Sequence, residues 1–419
     1  MRTVGLIVEY NPFHNGHLYH LQQSRKITQA DAVVAVMSGH FLQRGEPALL
    51  DKWSRTQMAL EGGCDLVIEL PVAYATQAAE WFAYGAVSLL EATGVVDSFC
   101  FGTENGELDP LLKAADIVAE EPPAFKALLK QQLQTGVSYP SAYSSAITSY
   151  LAELGHATAS AFPFALPNHT LGLHYLLARN RLQAKMEPFT IAREKAQYNQ
   201  ATATDSQIAS ATAIRKLLLE QQSLEDVRAY VPESTWNILQ QEWSAGRCPI
   251  SWEPFTNALL QAIITRTPQD LADLHEITEG LEYRIRGVLP TLPSRSFDDL
   301  LSALKTKRYT RTKLQRSLLA ILLGHRKQDF TADKLASGVE YIRVLGFSEK
   351  GKLLLRRMRN SAKLPVLHSA ARAPQPYRYL ELDTQASGVY MLGVSGQTSV
   401  ASMFRDFTEK PVTAGSNFI

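Results

Sequence analysis

The sequence predicts an α/β protein, with a doubly wound parallel sheet in its first half and a mostly helical, basic second half. Three observations lead to this fold class. Short apolar strands alternate with helices through the first part of the chain, which is typical of a parallel sheet flanked by helices. The apolar spacing becomes helical in the second half of the chain. The net charge changes sign near the same point.

Each predicted strand of the first half is a short apolar run, as in Ala32–Met37 (AVVAVM). Continuous runs of this kind are typical of strands that are buried on both faces of a parallel sheet. We expect strands at residues 2–8, 32–37, 65–70 and 98–101, a helix that begins near residue 16, and helices over 51–62 and 76–92.

The later segments are assigned in the same way. Residues 108–160 are predicted to be mostly helical. Residues 161–222 are predicted to form a further α/β segment that ends in a helix at residues 211–221. Residues 223–375 are predicted to be helical. Alternation and glycines after residue 376 predict short strands there, as in residues 388–393. The changes of pattern and charge together predict two domains, residues 1–225 and 226–419.

The composition excludes several classes of protein. With 45% hydrophobic and 20% charged residues among 419, the chain is not disordered, collagen-like or of low complexity. The cysteines are too few and too scattered for a disulfide framework or a zinc knuckle. No segment has the pattern of a signal peptide or a membrane span, so we expect a cytoplasmic protein with reduced thiols.

The distribution of charge points to a polyanionic partner. The formal net charge is +1 overall, but it is −6 over residues 1–225 and +7 over residues 226–419. Residues 305–363 alone carry 16 basic and four acidic residues. Such a block is typical of a nucleic-acid-binding surface. A solvated helical face is the alternative interpretation.

The four residues His14-Asn15-Gly16-His17 follow the first predicted strand and open the first predicted helix. Open parallel sheets bind ligands at the carboxyl ends of their strands, and a helix N-terminus attracts phosphate. Two imidazoles can stabilise charge on phosphate oxygens in a transition state. The motif therefore predicts a phosphate site; helix capping by the two histidines and a metal site are the alternatives, although no third metal ligand is evident.

The stretch Gly5–His20 (GLIVEYNPFHNGHLYH) resembles the first motif of the nucleotidyltransferase superfamily, whose domain is Rossmann-like. Further segments extend the match, and together they are similar to one family, the bacterial tRNA(Met) cytidine acetate ligases. These segments are residues 38–47 (SGHFLQRGEP), 51–53 (DKW), 65–71 (DLVIELP), 101–104 (FGTE), 167–168 (PN), 210–215 (SATAIR), 306–316 (TKRYTRTKLQR) and 345–347 (LGF).

The resemblance implies a defined reaction. Acetate would be activated with ATP to acetyl-adenylate, and the acetyl group would pass to N4 of the wobble cytidine, position 34, of elongator tRNA(Met). The product would be N4-acetylcytidine. The resemblance implies ATP as a substrate, Mg²⁺ as a helper of the triphosphate, and neither a membrane nor an obligate protein partner.

The resemblance also implies site residues. His14 and His17 would be catalytic and would serve the phosphates. The remaining ATP contacts would be Ile7, Val8, Glu9, Tyr10, Asn11, Pro12, Phe13, Asn15, Gly16, Leu18, Tyr19, His20, Gly102, Asn168, Arg193, Glu194, Ser210, Thr212 and Arg215. The candidate tRNA contacts are Lys305, Lys307, Arg308, Arg311, Lys313, Arg316, Arg356 and Arg357.

Several interpretations stay open at this point. An adenylyltransferase for a small phosphorylated metabolite and a non-catalytic RNA-binding protein are the alternative functions. Lys52 lies near the phosphates or on the solvated surface. Asn168 contacts ligand or caps a helix. Arg44 contacts nucleotide or tRNA, or pairs with Glu46.

Overall fold

A mixed β-sheet forms the centre of the molecule. The computed structural model describes residues 1–193, 209–306, 309–396 and 399–414. Within these ranges the strands are β1 (Thr3–Val8), β2 (Ala32–Ser38), β3 (Leu66–Leu70), β4 (Ser98–Thr103), β5 (Glu187–Ala192), β6 (Ile342–Phe347), β7 (Val366–Leu367) and β8 (Val412–Thr413). Their order is β5-β4-β1-β2-β3-β6-β7, and β8 also pairs with β6.

Five of these strands are parallel, and β1 lies in the middle of them. Strands β2 and β3 extend the sheet on one side of β1, and β4 and β5 extend it on the other. The direction of growth therefore reverses beside β1. In open α/β sheets, a crevice forms at the carboxyl ends of the strands where the order reverses.

Helices cover both faces of the sheet. In the first half they are α1 (Asn15–Thr28), α2 (Lys52–Glu61), α3 (Val72–Ala75), α4 (Ala79–Ala92), α5 (Asp109–Val118), α6 (Pro123–Gln134), α7 (Tyr139–Glu153), α8 (Ala157–Ser160), α9 (Pro167–Arg181) and α10 (Ala211–Leu219). The second half contains α11 (Glu233–Ser244), α12 (Thr256–Ile264), α13 (Pro268–Ala272), α14 (Leu281–Val288), α15 (Phe297–Leu304), α16 (Arg311–Leu323), α17 (Ala332–Ala336), α18 (Glu349–Ser361), α19 (Arg378–Met391) and α20 (Arg405–Thr408).

The burial pattern of β2 shows why its sequence has no polar alternation. Val34 and Val36 belong to the core on one face of the sheet, whereas Val33 and Ala35 belong to the core on the other. All four side chains are fully buried. Because successive side chains of a strand point to opposite faces, a strand covered on both sides must be apolar throughout. The first four strands therefore lie within one or two residues of their predicted positions.

The second half of the chain returns to the sheet, which the sequence did not predict. Strand β6 pairs antiparallel with β3, so the sheet is not parallel throughout. Strands β7 and β8 then pair with β6. Residues from both sides of position 225 thus share one sheet. The prediction of a strand at residues 388–393 was wrong, because α19 covers most of that segment.

A buried ionic cluster joins the end of the described chain to the sheet. The Lys52 Nζ atom lies 2.7 Å from a carboxylate oxygen of Glu69 on β3 and 2.7 Å from one of Asp406 on α20. Arg343 on β6 donates to the Asp406 carbonyl oxygen at 3.1 Å. Lys52 is fully buried. Both expectations for Lys52 were therefore wrong: it lies neither at phosphates nor in solvent.

Helix α18 packs at the amino ends of the parallel strands. Its first turn meets Asp65, which directly precedes β3, because the Ser348 N–H donates to the Asp65 carbonyl at 2.9 Å. Further along, Arg357 donates to the carbonyl of Met1, which precedes β1, at 3.2 Å. Helix α18 therefore lies at the edge of the sheet opposite the carboxyl ends.

Two helical glycines provide a matched test of this packing. A Cβ atom at Gly351 in α18 would overlap the Asp65 carbonyl oxygen, whereas one at Gly287 in α14 would meet no atom within 4 Å. We expect Gly351→Ala to lower the free energy of unfolding by about 1–3 kcal/mol through overpacking. Gly287→Ala should raise it by about 0.4–1 kcal/mol. Urea denaturation measures both changes, and equal stability of the two variants would contradict this packing.

Candidate active site

A cavity of about 270 Å³ opens at the carboxyl ends of β1, β4 and β5. Val8, Gly102 and Ile191 contribute to its lining from the ends of these three strands. The first residues of α1 and α10 complete one wall. The cavity thus occupies the point at which the strand order reverses, where the sequence analysis placed a phosphate site.

The two motif histidines both cap helix α1 and line the cavity. Helix α1 begins at Asn15, and the Nδ1 atom of His14 accepts a hydrogen bond from the Gly16 N–H at 3.0 Å. The imidazole ring centroids of His14 and His17 are 3.7 Å apart. Because Nδ1 of His14 is an acceptor, the neutral ring carries its proton on Nε2. Capping and ligand binding are therefore compatible roles of one side chain.

The histidines of the cavity are neutral at physiological pH. Burial, assisted by the charges of Arg193 and Arg215, lowers the pKa of His14 to about 3. Burial and Arg193 lower the pKa of His20 to about 4. The pKa of His17 is also lowered, first by burial and then by His14. The imidazoles can therefore donate hydrogen bonds to an anion, while the arginines supply the positive charge.

The start of α10 lines the same cavity as the histidines. Ser210 caps this helix by accepting from the Ala213 N–H at 3.1 Å. Arg215 donates to the Asn11 carbonyl oxygen at 3.2 Å and lies 3.4 Å from the Thr212 hydroxyl oxygen. Arg215 thus connects α10 to the loop after β1. The N-termini of two helices and one guanidinium converge on one cavity, which suits a polyphosphate.

Arg193 approaches from the end of β5. Its guanidinium donates to the side-chain oxygen of Asn168 at 3.3 Å. The Asn168 backbone and side-chain N–H groups both donate to Glu104 at 2.9 Å. Helix α9 begins at Pro167 and its N-cap is Leu166. The expectation that Asn168 caps the helix was therefore wrong, and its side chain instead orients Arg193 at the cavity.

Most of the predicted ATP contacts come together in this cavity. Those that line it are Ile7, Val8, Glu9, Tyr10, Asn11, His14, Gly16, His17, Tyr19, His20, Gly102, Asn168, Arg193, Ser210, Thr212 and Arg215. Pro12, Phe13, Asn15 and Leu18 are not part of the lining. Phe13 is buried beside Gly62, and Asn15 donates to the Ala229 carbonyl at 3.1 Å. Glu194 lies outside the described residues.

The loop after β2 supplies a further wall, of which only Arg44 was predicted as a possible nucleotide contact. Its lining residues are Leu42, Gln43, Arg44 and Glu46. Helices α4 and α9 and strand β4 contribute the apolar lining residues Phe82, Phe101, Leu171 and Tyr175. The Gln43 N–H donates to a carboxylate oxygen of Glu9 at 2.8 Å. Burial raises the pKa of Glu9 above its usual range, against the opposing effects of that hydrogen bond and of Arg215.

This loop also contacts the basic helix α16. The side chain of Gln315 donates to Glu46 at 3.2 Å, and a Cβ atom at Gly45 would meet the α16 backbone. Of the predicted tRNA contacts, Lys313 and Arg316 both form ion pairs with Glu276. These charges lower the pKa of Glu276 to about 2.

The other predicted tRNA contacts divide into three groups. Lys305 is exposed and lies shortly before α16. The exposed Arg311 is the first residue of α16 and pairs with Asp298 at 2.9 Å. Arg356 and Arg357 lie on α18, at the opposite edge of the sheet from the cavity. Lys307 and Arg308 lie outside the described residues.

No group of three His, Cys, Asp or Glu side chains in the described part of the chain is placed to hold a metal ion. None of the helices within the described ranges is both long enough and apolar enough to cross a bilayer.

The buried His14 makes the stability of the protein depend on pH. Its pKa of about 3 in the folded state lies below the ordinary value of 6.5, so only the unfolded chain binds this proton between those values. The stabilisation is complete above pH 6.5 and is lost as pH falls toward 3. From pH 7 to pH 5 we expect His14 to account for about 2 kcal/mol of lost unfolding free energy. Urea denaturation of His14→Asn, which keeps a capping side chain, should show a correspondingly smaller loss; an equal loss would contradict this prediction.

Comparison with known proteins agrees with this architecture. Residues 1–403 match the HIGH Nucleotidyl Transferase family. The tRNA(Met) cytidine acetate ligase of Acetivibrio thermocellus is 42% identical over 400 residues, which cover 94% of this chain and 95% of the relative. The enzyme of the same name from Lysinibacillus sphaericus is 41% identical over 412 residues, with 98% and 100% coverage.

Solved structures show the same fold. The apo crystal structure of Thermotoga maritima TmcAL superposes with a TM-score of 0.90 at 34% identity, and it covers 99% of this chain and 100% of its own. The same protein bound with alpha-thio ATP superposes with a TM-score of 0.87 over the same coverage. On the strength of near-complete alignment with these relatives, the chain belongs to the tRNA(Met) cytidine acetate ligase family.

Proposed function

We propose that this protein is an ATP-dependent tRNA cytidine acetate ligase. It activates acetate to acetyl-adenylate and transfers the acetyl group to N4 of the wobble cytidine, position 34, of elongator tRNA(Met). The observation that carries this proposal is the cavity at the strand reversal, which the His14–His17 motif lines together with Ser210, Thr212 and Arg215. The names of the relatives and the alpha-thio ATP bound to one of them support it.

The first half-reaction needs positioning and charge stabilisation more than covalent catalysis. A carboxylate is a poor acyl donor, because its oxygen is a poor leaving group. An acetate oxygen attacks the α-phosphorus of ATP, a mixed anhydride forms, and pyrophosphate leaves. The Nε2–H of His14 donates to phosphate oxygens, while Arg215 and Arg193 compensate the negative charge on the departing group.

We propose that Mg²⁺ enters as the magnesium complex of ATP. Mg²⁺ keeps several waters and typically binds through substrate phosphates with one or two carboxylates. No group of three His, Cys, Asp or Glu side chains among the described residues is placed to hold a metal ion, so phosphate oxygens and water would supply most of the Mg²⁺ ligands. When bound, Mg²⁺ would withdraw charge from the phosphate oxygens. Because ATP and tRNA are its substrates, we place the reaction in the cytoplasm.

The second half-reaction brings tRNA to the same cavity. The wobble base lies in a single-stranded loop, so it can enter a pocket without the opening of a duplex. We propose that residues 1–225 hold the nucleotide and residues 226–419 supply the surface that binds tRNA. Helix α16 touches the cavity wall through Gln315 and Glu46, so the phosphates near the acceptor base meet this side.

The proposed activity is tested by release of AMP and pyrophosphate from ATP in four mixtures, with and without acetate and with and without elongator tRNA(Met). We expect turnover to require both, and mass spectrometry of digested tRNA to find acetylated cytidine at position 34. Turnover that ignores acetate and tRNA would favour the small-metabolite adenylyltransferase. Absence of turnover would favour the RNA-binding alternative.

The motif histidines should be essential for activation and dispensable for tRNA binding. We expect His14→Ala, His14→Asn and His17→Ala each to lower acetate-dependent ATP–pyrophosphate exchange by at least about 10²–10³-fold, because each removes a donor to the phosphates. His14→Asn retains a helix cap, so its loss reports the missing Nε2–H alone. Unchanged exchange in His14→Asn would contradict this role, and filter binding of tRNA serves as the control.

Lys305 and Arg311, just before and at the start of α16, should contribute most of the tRNA affinity. We expect the double change Lys305→Gln and Arg311→Gln to weaken tRNA binding and to reduce the slope of log K against log salt by about 1 for each lost phosphate contact. The matched pair Arg356→Gln and Arg357→Gln, on the opposite edge, should reduce affinity less. Binding titrations at several salt concentrations measure both, and a larger loss in the α18 pair would place the tRNA surface there.

A further inference from the structure

Two carboxylates line the cavity within the described part of the chain, and their surroundings differ. Glu46 has both oxygens near donors: Gln315 donates to one at 3.2 Å, and Arg215 lies 3.9 Å from the other. Glu9 accepts one hydrogen bond, from the Gln43 N–H at 2.8 Å. Its second oxygen, Oε2, has no hydrogen-bond partner among the described residues. Glu9 therefore has an oxygen that can accept a proton or a hydrogen bond.

The position of Glu9 is defined by the two neighbours of β1. On the β4 side, the cavity is lined by Gly102, Arg193 and Asn168, which are all predicted ATP contacts. Glu9 instead faces the β2 side, because its carboxylate is held by Gln43 in the loop after β2. The histidine motif lies between these two sides.

The β2 side is also the side that meets α16. The loop that holds Glu9 contacts α16 through Glu46 and Gln315. In the proposed reaction the nucleoside takes the β4 side and the α-phosphate lies at the histidines, which leaves the α16 side for the approach of the acceptor base. That approach passes Glu9.

We propose that Glu9 is a catalytic residue of the second half-reaction and accepts the proton that the N4 amine of cytidine loses. This proposal rests on the proposed function. The amine nitrogen attacks the acyl carbon of acetyl-adenylate, a C–N bond forms, and the C–O bond to the phosphate breaks. AMP leaves with the electron pair of that bond, and the amine proton passes to Oε2 of Glu9.

The charge environment of Glu9 suits this role. Burial raises the pKa of its carboxyl group, with Glu46 acting in the same direction, while Arg215 and Arg44 act against it. A proton acceptor works best when its pKa approaches the working pH. The neutral His14 and His20 have lowered pKa values of about 3 and about 4, so they are weaker bases at that pH.

The test separates the two half-reactions in Glu9→Gln. Glutamine keeps an oxygen that accepts from the Gln43 N–H but cannot take the proton. We expect single-turnover acetyl transfer from enzyme-bound acetyl-adenylate to tRNA to fall by about 10²–10⁴-fold. Acetate-dependent ATP–pyrophosphate exchange should fall by a much smaller factor. Glu242→Gln, a buried carboxylate of α11 paired with Arg247, is the matched control and should change neither rate.

The pH dependence of the transfer rate gives a second readout. In the unchanged protein the rate should fall as pH decreases through the pKa of Glu9, with the slope of one proton. This decrease of the transfer rate at low pH should be absent in Glu9→Gln. A merely structural effect of the substitution would lower the rate equally at every pH.

Three outcomes would overturn the proposal. If the rate of ATP–pyrophosphate exchange falls as much as the rate of acetyl transfer, Glu9 acts in adenylate formation. An unchanged rate of acetyl transfer in Glu9→Gln would show that another group accepts the proton. Selective loss of transfer in Glu46→Gln, with Glu9→Gln unaffected, would make the other carboxylate the base. Failure of the proposed function is distinct, because the unchanged protein would then show no acetate-dependent exchange at all.

Discussion

The position of β1 between β2 and β4 is the constraint on which the rest of the structure depends. Because the chain adds β2 and β3 on one side and β4 and β5 on the other, the loops above β1 diverge and leave an open cavity. The two walls of that cavity then have different origins. One comes from β4 and β5, and the other comes from the loop after β2, which touches α16. A nucleotide and a macromolecular acceptor can thus approach one reacting centre from two directions.

His14 shows how one side chain serves both the fold and the chemistry. Its Nδ1 atom satisfies a backbone N–H at the start of α1, and this hydrogen bond determines which ring nitrogen carries the proton. Burial keeps the ring neutral. The phosphate environment is therefore built from neutral imidazole donors together with guanidinium groups.

Local patterns were sufficient to predict the first four strands and the start of α1, whereas most of the cavity lining was predicted from the resemblance to the family. Apolar runs identify strands buried on both faces, and the motif histidines follow the first of them. The burial of Lys52 could not be predicted, because its partner Asp406 is 354 positions away. The same holds for β6, whose partner strand β3 lies in the first half. The wall at Gln43 and Glu46 carries no motif that connects it with Glu9, so only the three-dimensional structure brings them together.

The ionic cluster at Lys52 has a consequence for the order in which the chain assembles. During synthesis, β3 emerges long before β6 and before Asp406, so its outer edge lacks its partner strand while residues 71–341 are made. An open strand edge is a template for pairing with other chains. In that interval Lys52 has Glu69, 17 positions away, as its early partner. Charged side chains beside an open strand edge disfavour pairing with other chains, so Lys52 and Glu69 would oppose such pairing until β6 is added.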